Sequence, residues 1–268
     1  MKLKVLVDNN TYIDQYYYGE PAVSYYIEDE DTKLLLDVGY SNLFIKNANE
    51  LGVDLTKIDA IVISHGHDDH TRGLKYYFEK NNKKNISIIS HPDAFKEKMM
   101  DNLKICSPIL QEELKEKCNL ILSKEPKKIS KNLIFLGEIP HLNNFEKREP
   151  IGKQLDDKVL VEDYVMDDTA LVYKSENGIY IITGCSHSGI CNIVEYAKQV
   201  CKDSRVLGIV GGFHLFEVNE QVYRTIDYLK QSNIKELYPC HCTSFIVKAE
   251  IHKSIPIKEV GVGLEINW

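Results

Sequence analysis

Residues 65–70 read His65-Gly66-His67-Asp68-Asp69-His70, directly after the apolar run Ile58-Asp59-Ala60-Ile61-Val62-Ile63-Ser64. Neutral imidazole and ionised carboxylate are the usual ligands of zinc-like metals. In an extended segment residues two apart point the same way, so His65 and His67 can hold one ion. Asp69 and His70 come where Thr71–Phe78 reads as a new helix. The turn between strand and helix can aim that second pair at a neighbouring ion. The string therefore predicts a dinuclear metal site at the end of a strand. Histidine clusters also arise on surfaces by chance, and expression tags are histidine-rich. This cluster is internal, interrupted by aspartate and set between a strand and a helix, which favours the metal.

The chain around it has the proportions of a soluble globular protein. Its 268 residues suit one or two domains and bury a large core. The net charge of −7 argues against a protein whose main task is to hold nucleic acid, because phosphate binding relies on Lys and Arg. No apolar run approaches the length of a membrane span, so no membrane partner is expected. Met1–Asp8 reads as a strand rather than a signal peptide. The seven cysteines form no regular framework and are expected as free thiols in a cytoplasmic protein.

Val5–Val7, Ser24–Ile27 and Lys33–Leu36 read as strands, followed by a helix from Asn42 to Leu51 that Gly52 ends. Ile58–Ile63 and Ile86–Ser90 read as buried strands with a helix over Arg72–Lys80 between them. Pro92 suits the first turn of a helix, Glu112–Lys117 reads helical and Leu133–Leu136 extended. Residues 140–165 carry Pro140, Pro150, Gly152 and many charges with little periodicity, which predicts a long loop or lid. Next, Ala170–Tyr173 and Ile179–Thr183 form a hairpin around Glu176-Asn177-Gly178. Helices are expected over Ile190–Val200 and Val222–Gln231, and strands over Val206–Val210, Glu236–Tyr238 and Val260–Ile266. Early strands followed by alternation with helices suit an α/β fold with helices outside two packed sheets.

Three later histidines sit just beyond apolar strands, as His65 does: His187 after Ile181–Ser186, His214 after Ile209–Phe213, and His241 after Leu237–Cys240. Strand ends are where α/β layers gather functional groups. Each alone is as readily a core or loop histidine; their shared placement favours a site. Cys185, Cys240 and Cys242 could be soft ligands, although Cys240-x-Cys242 is one residue short of the usual zinc spacing. Cys106, Cys118, Cys191 and Cys201 read as packing residues. Asp37 closes another strand, where it either orients a ligand histidine or forms a turn before Gly39. His141 either lines the lid or lies on the surface. His91 and His252 have no comparable context. Tyr16–Tyr18, Tyr25 and Tyr26 can stack on a substrate ring or pack within strands.

The string His65-x-His67-x-Asp69-His70 after a hydrophobic strand, with Leu35-Leu36-Asp37-Val38-Gly39 upstream, resembles the metallo-β-lactamase superfamily. Val7-Asp8-Asn9-Asn10-Thr11, Gly184-Cys185-Ser186-His187, Gly211-Gly212-Phe213-His214 and Pro239-Cys240-His241-Cys242-Thr243 resemble its dihydropterin synthase-like branch. Its named activity joins a dihydropterin diphosphate to a ribofuranosyl-aminobenzene phosphate. The resemblance implies an α/β, αββα sandwich: one domain over residues 1–268, with an irregular insertion or lid around 91–165. It also implies that His65 and His67 bind a first metal and that Asp69 and His70 bind a second. His187 and His241 complete the ligands, and Asp69 and His214 are the expected catalytic residues, His214 toward substrate or proton transfer. Many members place a bridging Asp where this chain has Cys185, so the bridge is left to no residue; water or hydroxide would serve. Di-iron redox members usually carry Glu where His67 stands, which disfavours that chemistry.

The implied cofactor is a pair of divalent cations, zinc by the ligand types, with manganese, iron or magnesium also compatible. Such a site serves either hydrolysis of an ester or phosphodiester, or a condensation in which diphosphate leaves. The expected partner is a small phosphorylated or ester substrate. A non-catalytic metal sensor and a metal-dependent nuclease or phosphodiesterase remain as alternatives.

Overall fold

The computed structural model describes residues 1–81 and 86–268. Its first half runs β1 (Lys2–Val7), β2 (Ser24–Asp29), β3 (Thr32–Leu36), α1 (Leu43–Glu50), β4 (Ala60–Val62), α2 (Asp68–Thr71), α3 (Leu74–Lys80) and β5 (Ser87–Ser90). The middle holds β6 (Lys98–Met100), β7 (Leu103–Lys104), α4 (Gln111–Lys117), β8 (Asn119–Leu122), β9 (Lys127–Lys128), β10 (Leu133–Phe135), β11 (Lys153–Asp156) and β12 (Val159–Glu162). The last third runs β13 (Ala170–Lys174), β14 (Ile179–Thr183), α5 (Ile190–Cys201), β15 (Val206–Gly212), α6 (Glu220–Gln231), β16 (Glu236–Cys240), α7 (Phe245–Ser254) and β17 (Glu265–Asn267).

Two large sheets result, ordered β17-β1-β2-β3-β4-β5-β8 and β16-β15-β14-β13-β10-β9. In each, hairpin-connected strands pair antiparallel and helix-connected strands pair parallel: β3–β4–β5–β8 in the first, β14–β15–β16 in the second. Alternation along the strands then sorts the side chains into layers. Leu34, Leu36 and Val62 of the first sheet meet Leu171, Ile182 and Val210 of the second in a shared core. The intervening residues Leu35 and Ile61 face outward onto Phe44 and Ala48 of α1 and Leu74 and Tyr77 of α3. Ile181 and Ile209 likewise face α5, α6 and α7. The order is helix, sheet, sheet, helix, an αββα sandwich. No described helix is long and apolar enough to cross a membrane.

Several expectations need adjustment. Residues 92–95 make turns, with Ala94 N–H donating to the His91 carbonyl, and no helix follows Pro92. The stretch 140–165 is not wholly irregular. Residues 153–162 form the β11–β12 hairpin, which joins β6 and β7 in a small sheet ordered β12-β11-β6-β7. Its turn residues Asp157 and Lys158 both adopt left-handed backbone (φ 44° and 70°). That is the geometry a two-residue hairpin turn needs, reached here without glycine. The strands are largely exposed, with their apolar residues Val159, Leu160 and Val161 in a run rather than in alternation, so no period-two pattern marked them. The terminal strand shrinks to Glu265–Asn267, because Gly263 turns the backbone at φ +94°. Helix α7 is an addition: Ser244 caps it by accepting from Val247 N–H, while Phe245 and Ile246 stay exposed and blur its periodicity.

The small sheet is anchored by one fully buried lysine. Lys98 Nζ lies 3.0 Å from Asp163 Oδ2 and 2.7 Å from Asp167 Oδ1. Burial works against its charge, but Asp167 and Asp163 outweigh that and hold its pKa above the usual lysine value. Removing one partner of a buried ion pair strands the other charges in a low dielectric. Lys98→Ala is therefore expected to destabilise the fold by about 3–5 kcal/mol in urea denaturation. A loss below about 1 kcal/mol would mean that water reaches the two carboxylates.

A candidate metal centre between the two sheets

The site forms where the parallel strand ends of both sheets meet. Just beyond β4 come Ser64 and His65, and the chain then turns sharply through Gly66. An added Cβ at Gly66 would lie 2.1 Å from the Ala94 carbonyl oxygen, so the turn sits hard against the chain after β5. Gly66 N–H donates to Asp167 Oδ2 at 2.7 Å, and Asp68 N–H to the Ile105 carbonyl at 3.1 Å. His67 then begins α2, which carries Asp69 and His70.

The side chains converge. His65 Nε2 lies 3.0 Å from His67 Nδ1 and 3.2 Å from His187 Nε2. Asp69 Oδ2 lies 3.4 Å from His70 Nε2 and 3.3 Å from His241 Nε2. His70 Nε2 lies 3.2 Å from Cys185 Sγ. Among the described residues, four groups have their donor atoms mutually within 4.8 Å: His65, His67 and Asp69; Asp69, His70, Cys185 and His241; His65, Cys185 and His187; and Cys185, His214 and Cys242. The six residues expected as ligands thus come together, from three different strand ends.

Two of the ligand candidates, His70 and His241, are held from behind. Asp37 Oδ1 accepts from Ser64 N–H at 2.8 Å, and its Oδ2 accepts from Ser64 Oγ at 2.6 Å and His70 Nδ1 at 2.7 Å. Of its two expected roles, it takes the one that points His70 Nε2 into the centre. Gly184 packs on this group; a Cβ there would lie 2.2 Å from Ser64 Oγ. Asp167 and Asp168 divide the opposite wall. Asp167 holds Gly66, while Asp168 accepts from Ser188 N–H at 2.9 Å, beside His187. His241 Nδ1 lies 3.0 Å from Asn9 Oδ1, and His241 N–H donates to Asp8 Oδ2 at 3.2 Å.

Electrostatics keep three of the imidazoles neutral, whereas at His70 burial is outweighed by Asp69 and Asp37, which hold its pKa well above the usual imidazole range. Burial, reinforced by neighbouring histidines, pushes His65 and His187 well below the usual imidazole range. Burial likewise brings His67 down to about 4. Neutral imidazole is the form that ligates. Burial disfavours the Asp69 carboxylate, but His70 and His241 outweigh it and hold its pKa low. Burial pushes the Cys185 thiol well above the usual thiol range. His67 Nε2 and His214 Nδ1 are buried with no hydrogen-bond partner among the described residues. Buried polar atoms are rarely left so. Unpaired nitrogens, a carboxylate and a thiol facing one space fit a divalent zinc-like metal.

The remaining candidates separate clearly. His214 stacks beside His187, with ring centroids 4.1 Å apart, and lines a cavity of about 250 Å³ with Lys147, Glu149, Phe213 and Gln221. A second cavity of about 650 Å³ opens on the far side of His241 and includes Lys248 and His252. His141 is exposed in a shallow cleft near Arg224. His91 is buried and pairs with Glu138 at 3.1 Å. Cys240 turns into the core, 3.1 Å from the Tyr25 hydroxyl. Tyr25 and Tyr26 are buried packing residues rather than walls for a ligand. The supports Asp8, Asn9, Lys98, Asp167 and Asp168 carried no assigned role in the sequence reading. Only Asp8 and Asn9 lay in a noted motif.

Orientation of a ligand histidine from behind typically contributes 10–100-fold to metal affinity. Asp37→Asn should therefore weaken zinc binding by roughly that factor in competition titrations against a chromophoric chelator. Affinity unchanged in a folded variant would mean that His70 is positioned by α2 alone.

Comparison with known proteins agrees with this geometry. The family described as the metallo-β-lactamase superfamily matches residues 17–241. An uncharacterized protein of Methanocaldococcus jannaschii is 38% identical over 248 residues, 91% of each chain. The 7,8-dihydropterin-6-methyl-4-(β-D-ribofuranosyl)-aminobenzene-5′-phosphate synthase of the same organism is 31% identical over 265 residues, 93% of this chain and 89% of that one. A solved structure described as Tm1679, a metal-dependent hydrolase of the β-lactamase superfamily, superposes with a TM-score of 0.84 at 26% identity, covering 100% of this chain and 99% of that one. With the αββα layers, the strand-end histidines and a family match across most of its length, the chain belongs to the metallo-β-lactamase superfamily.

Proposed function

We propose that the protein is a metal-dependent enzyme of the cytoplasm, folded as one domain, that acts on a small phosphorylated substrate at a dinuclear, zinc-type centre. The convergence of His65, His67, Asp69, His70, His187 and His241 on one space carries this reading. His65, His67 and His187 would hold one cation, and Asp69, His70 and His241 the other. Such cations, when bound, polarise phosphoryl oxygens, activate water and neutralise a leaving diphosphate.

The chain's own residues supply the rest. The cavity beside His187 is sized for a ring, and Lys147 at its rim offers a positive charge to a phosphate. Lys147 belongs to the segment after Pro140 that the sequence marks as a lid. His214, with an unpaired Nδ1 on that cavity, can give or take a proton at the reacting group. Asp69 joins both ligand groups and can also orient a nucleophile. A phosphorylated aromatic substrate accords with the synthase named among the relatives, and a phosphoester hydrolysis uses the same groups. All seven cysteines are free thiols, which suits a reducing compartment.

The test is turnover by protein reloaded with zinc or manganese after chelator treatment. Substrates are an aryl phosphodiester, and a dihydropterin diphosphate offered with a ribofuranosyl-aminobenzene phosphate. One of the two should be consumed only by the metal-loaded protein. His67→Ala should lower that kcat/KM by at least about 100-fold, since it removes a ligand outright. Tight metal uptake with neither substrate consumed would move the protein to the class of metal sensors.

A further inference from the structure

Among the described donors, Cys185 has an unusual position. Its single sulfur belongs to three of the four donor groups, including the one with His65 and His187 and the one with Asp69, His70 and His241. Those are the two halves of the proposed centre, and this inference rests on that reading. The side chain is buried and sits just beyond β14. It is fixed there by close packing on both sides of its backbone. Gly184 is pressed against Ser64 and Asp37, and Gly212 N–H donates to the Gly184 carbonyl at 2.8 Å. Sγ meets His70 Nε2 at 3.2 Å on the side of the second half.

We infer that Cys185 is a bridging ligand, its thiolate sulfur bonded to both cations. The chemistry is balanced simply: the thiol loses its proton to solvent as the metal–sulfur bonds form, with no oxidant required. A thiolate carries enough lone pairs for two metals. With metal–sulfur bonds of about 2.3 Å, one sulfur spans the roughly 3.5–4 Å that separates ions in two-metal sites. A soft bridge also narrows the choice of cation toward zinc, cobalt or iron and away from magnesium and manganese. The neighbouring thiol is the rival. Cys242 forms the fourth donor group with Cys185 and His214, but it accepts from His214 N–H at 3.3 Å and reaches neither half of the centre.

Cobalt substitution tests the bridge without reference to catalysis. Chelator-stripped protein is titrated with cobalt(II) while thiolate-to-cobalt charge-transfer absorption in the near ultraviolet is followed, and bound metal is counted after gel filtration. The band should grow through both equivalents of cobalt, persist in Cys242→Ala and vanish in Cys185→Asp, which should still bind about two ions. A band that saturates after the first equivalent makes Cys185 a terminal ligand and overturns the bridge. So does two-ion binding with no band, or a band lost in Cys242→Ala and kept in Cys185→Asp. Failure to take up cobalt, zinc or manganese at all removes the metal reading itself, and the bridge with it.

Discussion

The Asp37 carboxylate holds the two halves of this protein in register. It stands at the end of β3 and receives hydrogen bonds from the end of β4 and from α2, through Ser64 and His70. The end of β14, from the other sheet, closes over the same group through Gly184. A buried carboxylate without partners would be costly, so three donors arriving from two elements make its position strongly preferred. The backbone there is left-handed, at φ 59°, a conformation that aspartate tolerates better than most residues. Once this contact is set, the strand ends of both sheets face one another across a narrow gap, and the histidines that follow them share it.

The layered fold makes that gap available. Parallel strands end with their carboxyl termini at one edge, and the helices that return the chain lie outside. His65, His187 and His214 each follow such an end, and His241 follows the last one. The αββα arrangement therefore brings together residues separated by more than a hundred positions without any of them leaving its own loop.

Much of this was legible in the sequence because it rested on local signals. The apolar run before His65, the repeated placement of histidine after strands and the Gly52 and Gly178 stops all depend on neighbours in the chain. What was not legible depends on partners far away. Lys98 and Asp167 carry no local signal, and only the fold buries them against each other. The β11–β12 hairpin showed neither alternation nor glycine, since its faces are exposed and its turn is made by Asp157 and Lys158. Cys185 could be singled out as a departure from a pattern, but its reach toward both ligand groups is a matter of three-dimensional distance. Cys240 and Cys242, two residues apart, would point the same way in an extended segment, but β16 ends at Cys240 and the left-handed backbone of His241 (φ 47°) turns the chain between them. One enters the core, and the other stays beside His214.

The contacts of the small sheet bear on how such proteins diversify. Its lysine neutralises a carboxylate that in turn grips the glycine between His65 and His67. The small sheet and the loop through Gly66 therefore share one ammonium ion. Exchanging residues 91–165 for the corresponding stretch of a relative would keep the Gly66 loop in place only if the incoming segment brought a cation to the same depth. Without one, the graft would leave Asp167 enclosed without its cation and the loop free to drift. Recombination among these enzymes is constrained here by charge balance as much as by shape.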